Sequence, residues 1–143
     1  MNTKTEAMLV PYDGSANAKR ALDYAIGLAR RTGEEIHILN VQTSLPGAVS
    51  DVVGRGNVKQ YHYEEGEKVL APAVRKLEDA GVAFHKHIGV GQPGPVASEF
   101  ADQLKCTHVV MGTRGHGAAL GLLLGSVASY VIGHVKVPVT LIK

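Results

Sequence analysis

Short apolar runs alternate along the chain with longer stretches whose apolar residues recur every three or four positions, the mark of a parallel α/β sheet. Five of the runs read as strands. The first is Met8 to Tyr12, ending at Asp13-Gly14-Ser15, and the helix expected after it has Ala18, Leu22, Ala25, Ile26 and Ala29 on one face and stops at Gly33. The second strand is Ile36 to Val41. A loop from Gln42 to Gly56, with Pro46, Gly47, Gly54 and Gly56, is long for a compact α/β connection and is expected to be mobile or to cover a ligand. The second helix shows Tyr63, Leu70, Val74 and Leu77 at helical spacing and ends at Gly81, with Pro72 inside it expected to kink or locally break it.

The third strand is Val82 to Ile88, and Gly91-Gln92-Pro93-Gly94-Pro95 turns into a helix carrying Val96, Phe100, Ala101 and Leu104. The fourth strand is Thr107 to Met111. A glycine-rich loop leads to a last helix, Ser126 to Gly133, and a final strand, Val137 to Ile142. Parallel strands with right-handed helical crossovers give a doubly wound sheet whose ligand crevice lies outside the carboxyl ends of the strands, where strand order reverses. Asp13, just past the first strand, and Gly112, just past the fourth, meet there if those strands are neighbours.

Composition narrows the class. At 143 residues the chain is one domain's worth, read as a single unit over 1–143. Its 15 basic and 13 acidic side chains are interspersed and leave a net charge of +2, so neither a nucleic-acid tail nor a polybasic membrane segment is signalled. One cysteine, Cys106, excludes an intramolecular disulfide and a thiolate zinc cluster, and it suits a small buried hydrophobe better than a nucleophile. The polar start and the absence of any run near about 18 apolar residues point to a cytoplasmic protein with neither signal peptide nor membrane span.

The chemistry concentrates in Met111-Gly112-Thr113-Arg114-Gly115, nine further residues, and then Gly125-Ser126-Val127. Five of the 17 glycines fall at 112, 115, 117, 121 and 125, directly after the most hydrophobic strand. Glycine lets backbone approach a ligand, and a helix N-terminus at Gly125-Ser126 adds unpaired amides and partial positive charge. Two donor-rich turns converging on one point suit an anion such as a nucleotide phosphate.

With those residues in view the chain resembles the universal stress protein family over essentially its whole length. The nucleotide-binding branch of that family is marked by Gly, two residues, Gly, nine residues, then Gly with Ser or Thr, and Gly112, Gly115, Gly125 and Ser126 meet every position. Val10-Pro11-Tyr12-Asp13-Gly14-Ser15 is similar to the family's first strand and acidic turn, Leu39-Asn40-Val41 to the end of its second strand, and Val137-Pro138-Val139 to its last strand. The resemblance implies a five-stranded sheet in the order 3-2-1-4-5 and a dimer that binds ATP or a related adenine nucleotide such as AMP or ADP, with Mg²⁺ carried through the phosphates. It implies that Asp13 sits by the nucleotide, that Pro11, Val41 and Met111 surround adenine and ribose, and that Gly112, Gly115, Gly125, Ser126 and Val127 hold the phosphates. Three departures stand out: Thr107-His108 opens the fourth strand where many relatives are acidic, Gln92 precedes the proline of the third loop, and the nine-residue stretch from His116 to Leu124 lacks a lysine or arginine. Phosphate charge then falls mainly to Arg114, His116 when protonated, the helix terminus and a metal ion.

Plainer roles stand beside these. Asp13 suits an Asx turn or helix cap, Ser126 suits an N-cap, and Arg114 suits a solvated loop as well as a phosphate. His85 and His87 share one strand face, but His37, His62, His108 and His134 lie in separate elements and no third ligand is evident, so no metal site is assigned. No catalytic residue is assigned either. The chain lacks Gly-x-x-x-x-Gly-Lys-Ser/Thr and shows no base to orient water, so hydrolysis is expected to be slow at most. The final strand is apolar on both faces at a sheet edge, where pairing with the same strand of a second chain, Val137 to Ile142, would cover it. The alternatives are an enzyme that transfers an adenylyl or phosphoryl group on the same sheet, with His116 its one candidate, and a nucleotide-free dimeric interaction module. The downstream protein partner is unknown.

Overall fold

The computed structural model describes residues 5–47, 49, 51, 54–114 and 124–143. Ala7–Pro11 forms β1, Glu35–Gln42 β2, Phe84–Val90 β3, His108–Gly112 β4 and Val139–Ile142 β5. Between them run α1 (Ala16–Thr32), α2 (Arg55–Ala80), α3 (Pro93–Gln103) and α4 (Ser126–His134). The strands form one parallel sheet in the order β3-β2-β1-β4-β5, as the resemblance implied. Strand order reverses between β1 and β4, which pair through Met8 with His108 and Leu9 with Val109. Asp13 and Gly112 therefore leave adjacent strands at the switch point.

Each face of the sheet has its own core. Met8, Val10, Ile36, Ile38 and Val110 pack against Ala18, Leu22 and Ala25 of α1 and Leu70, Ala73 and Leu77 of α2. On the other face Leu9, Leu39, Val109 and Met111 pack against Ala97 and Ala101 of α3 and Ala128 and Val131 of α4. Strands covered on both sides carry continuous apolar sequence, which is why β1 and β4 stood out in the chain.

Helix ends follow their local chemistry. Ser15 caps α1, its hydroxyl accepting the Ala18 N–H at 3.1 Å, and Gly33 ends the helix in the left-handed conformation with φ 79°. Pro93 stands at the first turn of α3, where a missing N–H costs nothing, and the Gln92 side chain makes no cap bond. Gly94 lies buried in that turn, and a Cβ there would stand 2.8 Å from Cβ of Tyr130 on α4.

Several expectations need correction. The second helix is unbroken at Pro72, which lies on its exposed side, as does Lys68, whose carbonyl loses its amide partner and can turn to water. Tyr63 is 55% exposed and leaves the apolar stripe to Leu70, Ala73 and Leu77, continued towards the N-terminus by Gly66 and His62. Gly66 belongs there because Ile88 of β3 fills the space where its side chain would be. The third strand starts and ends two residues later than its apolar pattern, because pairing with β2 runs from Phe84 opposite Ile36 to Val90 opposite Gln42. The last strand begins only at Val139, although the Pro138 carbonyl already accepts from Val109 N–H. Between Gln42 and Arg55, residues 47, 49 and 51 are helical, while 48, 50, 52 and 53 lie outside the described residues. No described helix is long and apolar enough to cross a membrane.

Candidate functional site

The carboxyl ends of β1, β2 and β4 are fastened by side chains that join one strand end to the next. Asn40, 3% exposed in β2, donates to the Tyr12 carbonyl at 2.9 Å and accepts from Gln42 at 2.7 Å. The Tyr12 N–H returns a bond to the Leu39 carbonyl at 2.7 Å. Asp13 makes the Asx turn that its sequence allowed, Oδ1 accepting from the Ser15 N–H at 2.9 Å. The Tyr12 hydroxyl is pushed above its ordinary pKa of 10.0 by burial first and then by the carboxylates of Asp13 and Asp23, so it stays protonated.

The two halves of the glycine motif meet. Gly112 closes β4 opposite Ile142, Thr113 N–H donates to the Ile142 carbonyl at 3.0 Å, and Gly125 N–H donates to the Thr113 carbonyl at 2.7 Å. Residues twelve apart in sequence are thus one hydrogen bond apart in space. Gly112 has no room for a side chain, since a Cβ would collide with the amide of Asn17, 2.7 Å from its Cγ. Gly125, and not Ser126, is the N-cap of α4, because its carbonyl accepts the first helical bond from Ser129 N–H. Ser126 is therefore the first helical residue and is exposed. No side chain caps this terminus, and the amides of Ser126, Val127 and Ala128 precede the first intrahelical bond.

Pro11, at the end of β1, shares the sheet face of Leu9, while Val41 and Met111 pack in the core of that same face. Val127 also packs there from α4. Three apolar residues at the carboxyl ends of three adjacent strands thus share one sheet face, the face on which α4 packs. Arg114 is exposed at the start of the loop. Gly115 and His116, both singled out in the sequence, lie outside the described residues. Apolar side chains beside backbone donors suit a flat heteroaromatic ring joined to an anion.

Asn17 is the residue sequence reasoning missed. It is 8% exposed near the N-terminus of α1, donates through Nδ2 to the Ile142 carbonyl at 2.8 Å, and accepts the Arg114 N–H on Oδ1 at 2.8 Å. A signal existed, because Asn17, Ala21 and Ala25 repeat every four residues and place the amide on the buried face of the helix.

His37 does lie in a separate element, β2, but directly opposite the β3 pair, its Nδ1 2.8 Å from His87 Nε2 and its ring stacked on His85 with centroids 5.0 Å apart. Burial first, then neighbouring imidazoles, lower the pKa of His37 and His87 below 6.5. Among the described residues no group of three or more His, Cys, Asp or Glu is placed to hold a metal ion. Cys106 is buried and its thiol is pushed up to about 11, which leaves it protonated and inert.

Known proteins share this fold and sequence. The sequence profile described as the Universal stress protein family matches residues 4–143. A universal stress protein of Methanocaldococcus jannaschii is 31% identical over 137 residues, 95% of this chain and 81% of that one. The solved universal stress protein UspA from Lactobacillus plantarum superposes with a TM-score of 0.83 at 21% identity, over 99% of this chain and 100% of that one. That of Archaeoglobus fulgidus in complex with dAMP gives 0.71 at 26%, over 98% of each. The chain belongs to the universal stress protein family.

Proposed function

We propose that this protein binds an adenine nucleotide, ATP or its relatives AMP and ADP, at the carboxyl ends of β1 and β4. The observation that carries the reading is the Gly125 N–H bond to the Thr113 carbonyl at 2.7 Å, which sets the uncapped N-terminus of α4 against the end of β4. Helix-terminal amides and Arg114 suit phosphate oxygens, and Val41 and Met111 suit the base. The dAMP complex of the Archaeoglobus fulgidus relative supports the choice of adenine. In this reading Pro11, Val41 and Met111 surround adenine and ribose, Asp13 sits by the nucleotide, and Gly112, Arg114, Gly115, Gly125, Ser126 and Val127 hold the phosphates. Mg²⁺ arrives with the triphosphate. The protein acts in the cytoplasm as a nucleotide-dependent stress or signalling switch with slow hydrolysis at most, and it dimerises through Val137 to Ile142, whose strand lies at the sheet edge.

The test is the melting temperature with ATP and Mg²⁺ beside AMP and GTP. Ligand at about 100 times its Kd adds roughly 2.7 kcal/mol, raising the midpoint by about 8 °C at this size. A shift for adenine nucleotides and none for GTP is expected. No shift with any nucleotide, in protein freed of co-purified ligand, would leave a dimeric interaction module, and release of ADP or AMP faster than about 1 per second would make the protein an enzyme.

A further inference from the structure

We infer that Asn17 is the positioning residue of Arg114: its side chain fixes the direction in which the chain leaves β4 at Thr113-Arg114 and ties that departure to the end of edge strand β5. The inference rests on the nucleotide reading for its functional meaning, although its geometry stands alone. Asn17 bridges two backbone groups far away in sequence, the Ile142 carbonyl at 2.8 Å and the Arg114 amide at 2.8 Å. The same Ile142 carbonyl accepts from Thr113 N–H at 3.0 Å, so one oxygen of β5 receives both the loop and the residue that holds the loop.

Three consequences follow from the placement. Asn17 is buried, 8% exposed as a whole residue, so losing either bond leaves a poorly hydrated backbone group. Its two ends differ in kind, a donor towards β5 and an acceptor towards the loop, and among short side chains asparagine presents both in one plane. Finally, a Cβ at Gly112 would stand 2.7 Å from Asn17 Cγ, so the absence of a side chain there makes room for this amide. Arg114, held by its amide, starts the loop with its side chain exposed to solvent, where it can swing towards an anion. Asn17 touches no phosphate in this account. It sets the position of groups that do.

Three variants separate this role from general stability. Asn17→Ala removes both bonds. Asn17→Asp keeps an acceptor for Arg114 N–H and turns a second oxygen on the Ile142 carbonyl. Arg20→Ala removes the other tie from α1 to the chain end, the 2.7 Å bond from Arg20 Nε to the Lys143 carbonyl, and serves as control. The readouts are ATP affinity by calorimetry and hydrogen exchange of the Arg114 amide by NMR. Asn17→Ala is expected to weaken ATP at least about tenfold and to speed Arg114 exchange without changing exchange in the middle of α1. Arg20→Ala should bind like the unaltered chain, and Asn17→Asp should keep the Arg114 amide protected. Unchanged affinity together with an unchanged Arg114 amide in Asn17→Ala would overturn the inference. Should that variant not fold, loss of Arg114 protection in Asn17→Asp would overturn it instead. If the unaltered chain binds no nucleotide, the nucleotide reading falls, and the exchange of the Arg114 amide alone decides what Asn17 does.

Discussion

The carboxyl ends of β1 and β4 and the open face of β2 and β3 are both polar interruptions of an apolar sheet, but they are built from opposite chemistry. At the first, neutral amides hold backbone: Asn17 grips Ile142 and Arg114, and Asn40 grips Tyr12. At the second, imidazoles face one another, His37 against His87 at 2.8 Å and against His85 at 5.0 Å between centroids, with Glu35 3.6 Å from His85. An amide clamp keeps its strength as pH changes. A histidine patch does not, because two of its rings are already held below their ordinary pKa. The site where a ligand is proposed is thus pinned by amides that do not titrate near neutrality, whereas the patch on β2 and β3 is built of groups that do.

The contrast is broken most forcefully at Gly112. Gly112→Val drives new atoms into the Asn17 amide and should cost about 3 kcal/mol in chemical denaturation. Adding Asn17→Gly should recover part of the loss, and strict additivity would show that the two residues are not in contact. Next comes Asn40→Ala, which strips a buried carbonyl of its partner and should cost about 1–3 kcal/mol by the same measurement.

A smaller effect, of the other kind, is expected from the histidines. An imidazole whose pKa is lowered on folding binds its proton more readily when unfolded, so its contribution to stability is complete above about pH 6.5 and is lost as pH falls through the folded value. Protonating both His37 and His87 would also set two cations 2.8 Å apart, with the Glu35 carboxylate opposing the effect at His37. The double variant His37→Gln, His87→Asn should therefore lose less melting temperature between about pH 7.5 and pH 5.5 than the unaltered chain. An equal loss would place the acid sensitivity elsewhere. Smallest of all is Lys68→Ala, which removes an exposed pair with Glu65 and should leave the melting temperature unchanged, as exposed ion pairs seldom contribute measurably.

What the chain disclosed in advance was what lies in short-range pattern. Continuous apolar runs gave β1 and β4, period-four apolar residues gave α1, and Gly33 and Gly81 marked helix ends that both adopt positive φ. The spacing of Gly112 and Gly125 was legible, but the bond that unites them was not, since it depends on where β4 and α4 come to rest. Tyr63 misled because an aromatic residue at helical spacing has no local mark of facing solvent, and Pro72 misled because the harm of a missing amide depends on whether water can reach the freed carbonyl. His37 and Asn17 were overlooked for a shared reason. Each matters through a partner at least 48 residues away, His85 for one and Arg114, 97 residues on, for the other.

Gly94 acts at a distance on the crevice. The Tyr130 ring that fills the room beside it also stacks on His134, centroids 3.7 Å apart and planes 3° from parallel. Helix α4 is thereby seated on α3 through a flat aromatic pad whose depth is set by one missing methyl group. Any added carbon at Gly94 acts as a shim, lifting the pad and tilting the rod that carries Ser126 at its far end. The distance from the Ser126 amide to the end of β4 is a machined tolerance, set at one end by the Gly125 bond to Thr113 and at the other by the missing side chain of Gly94.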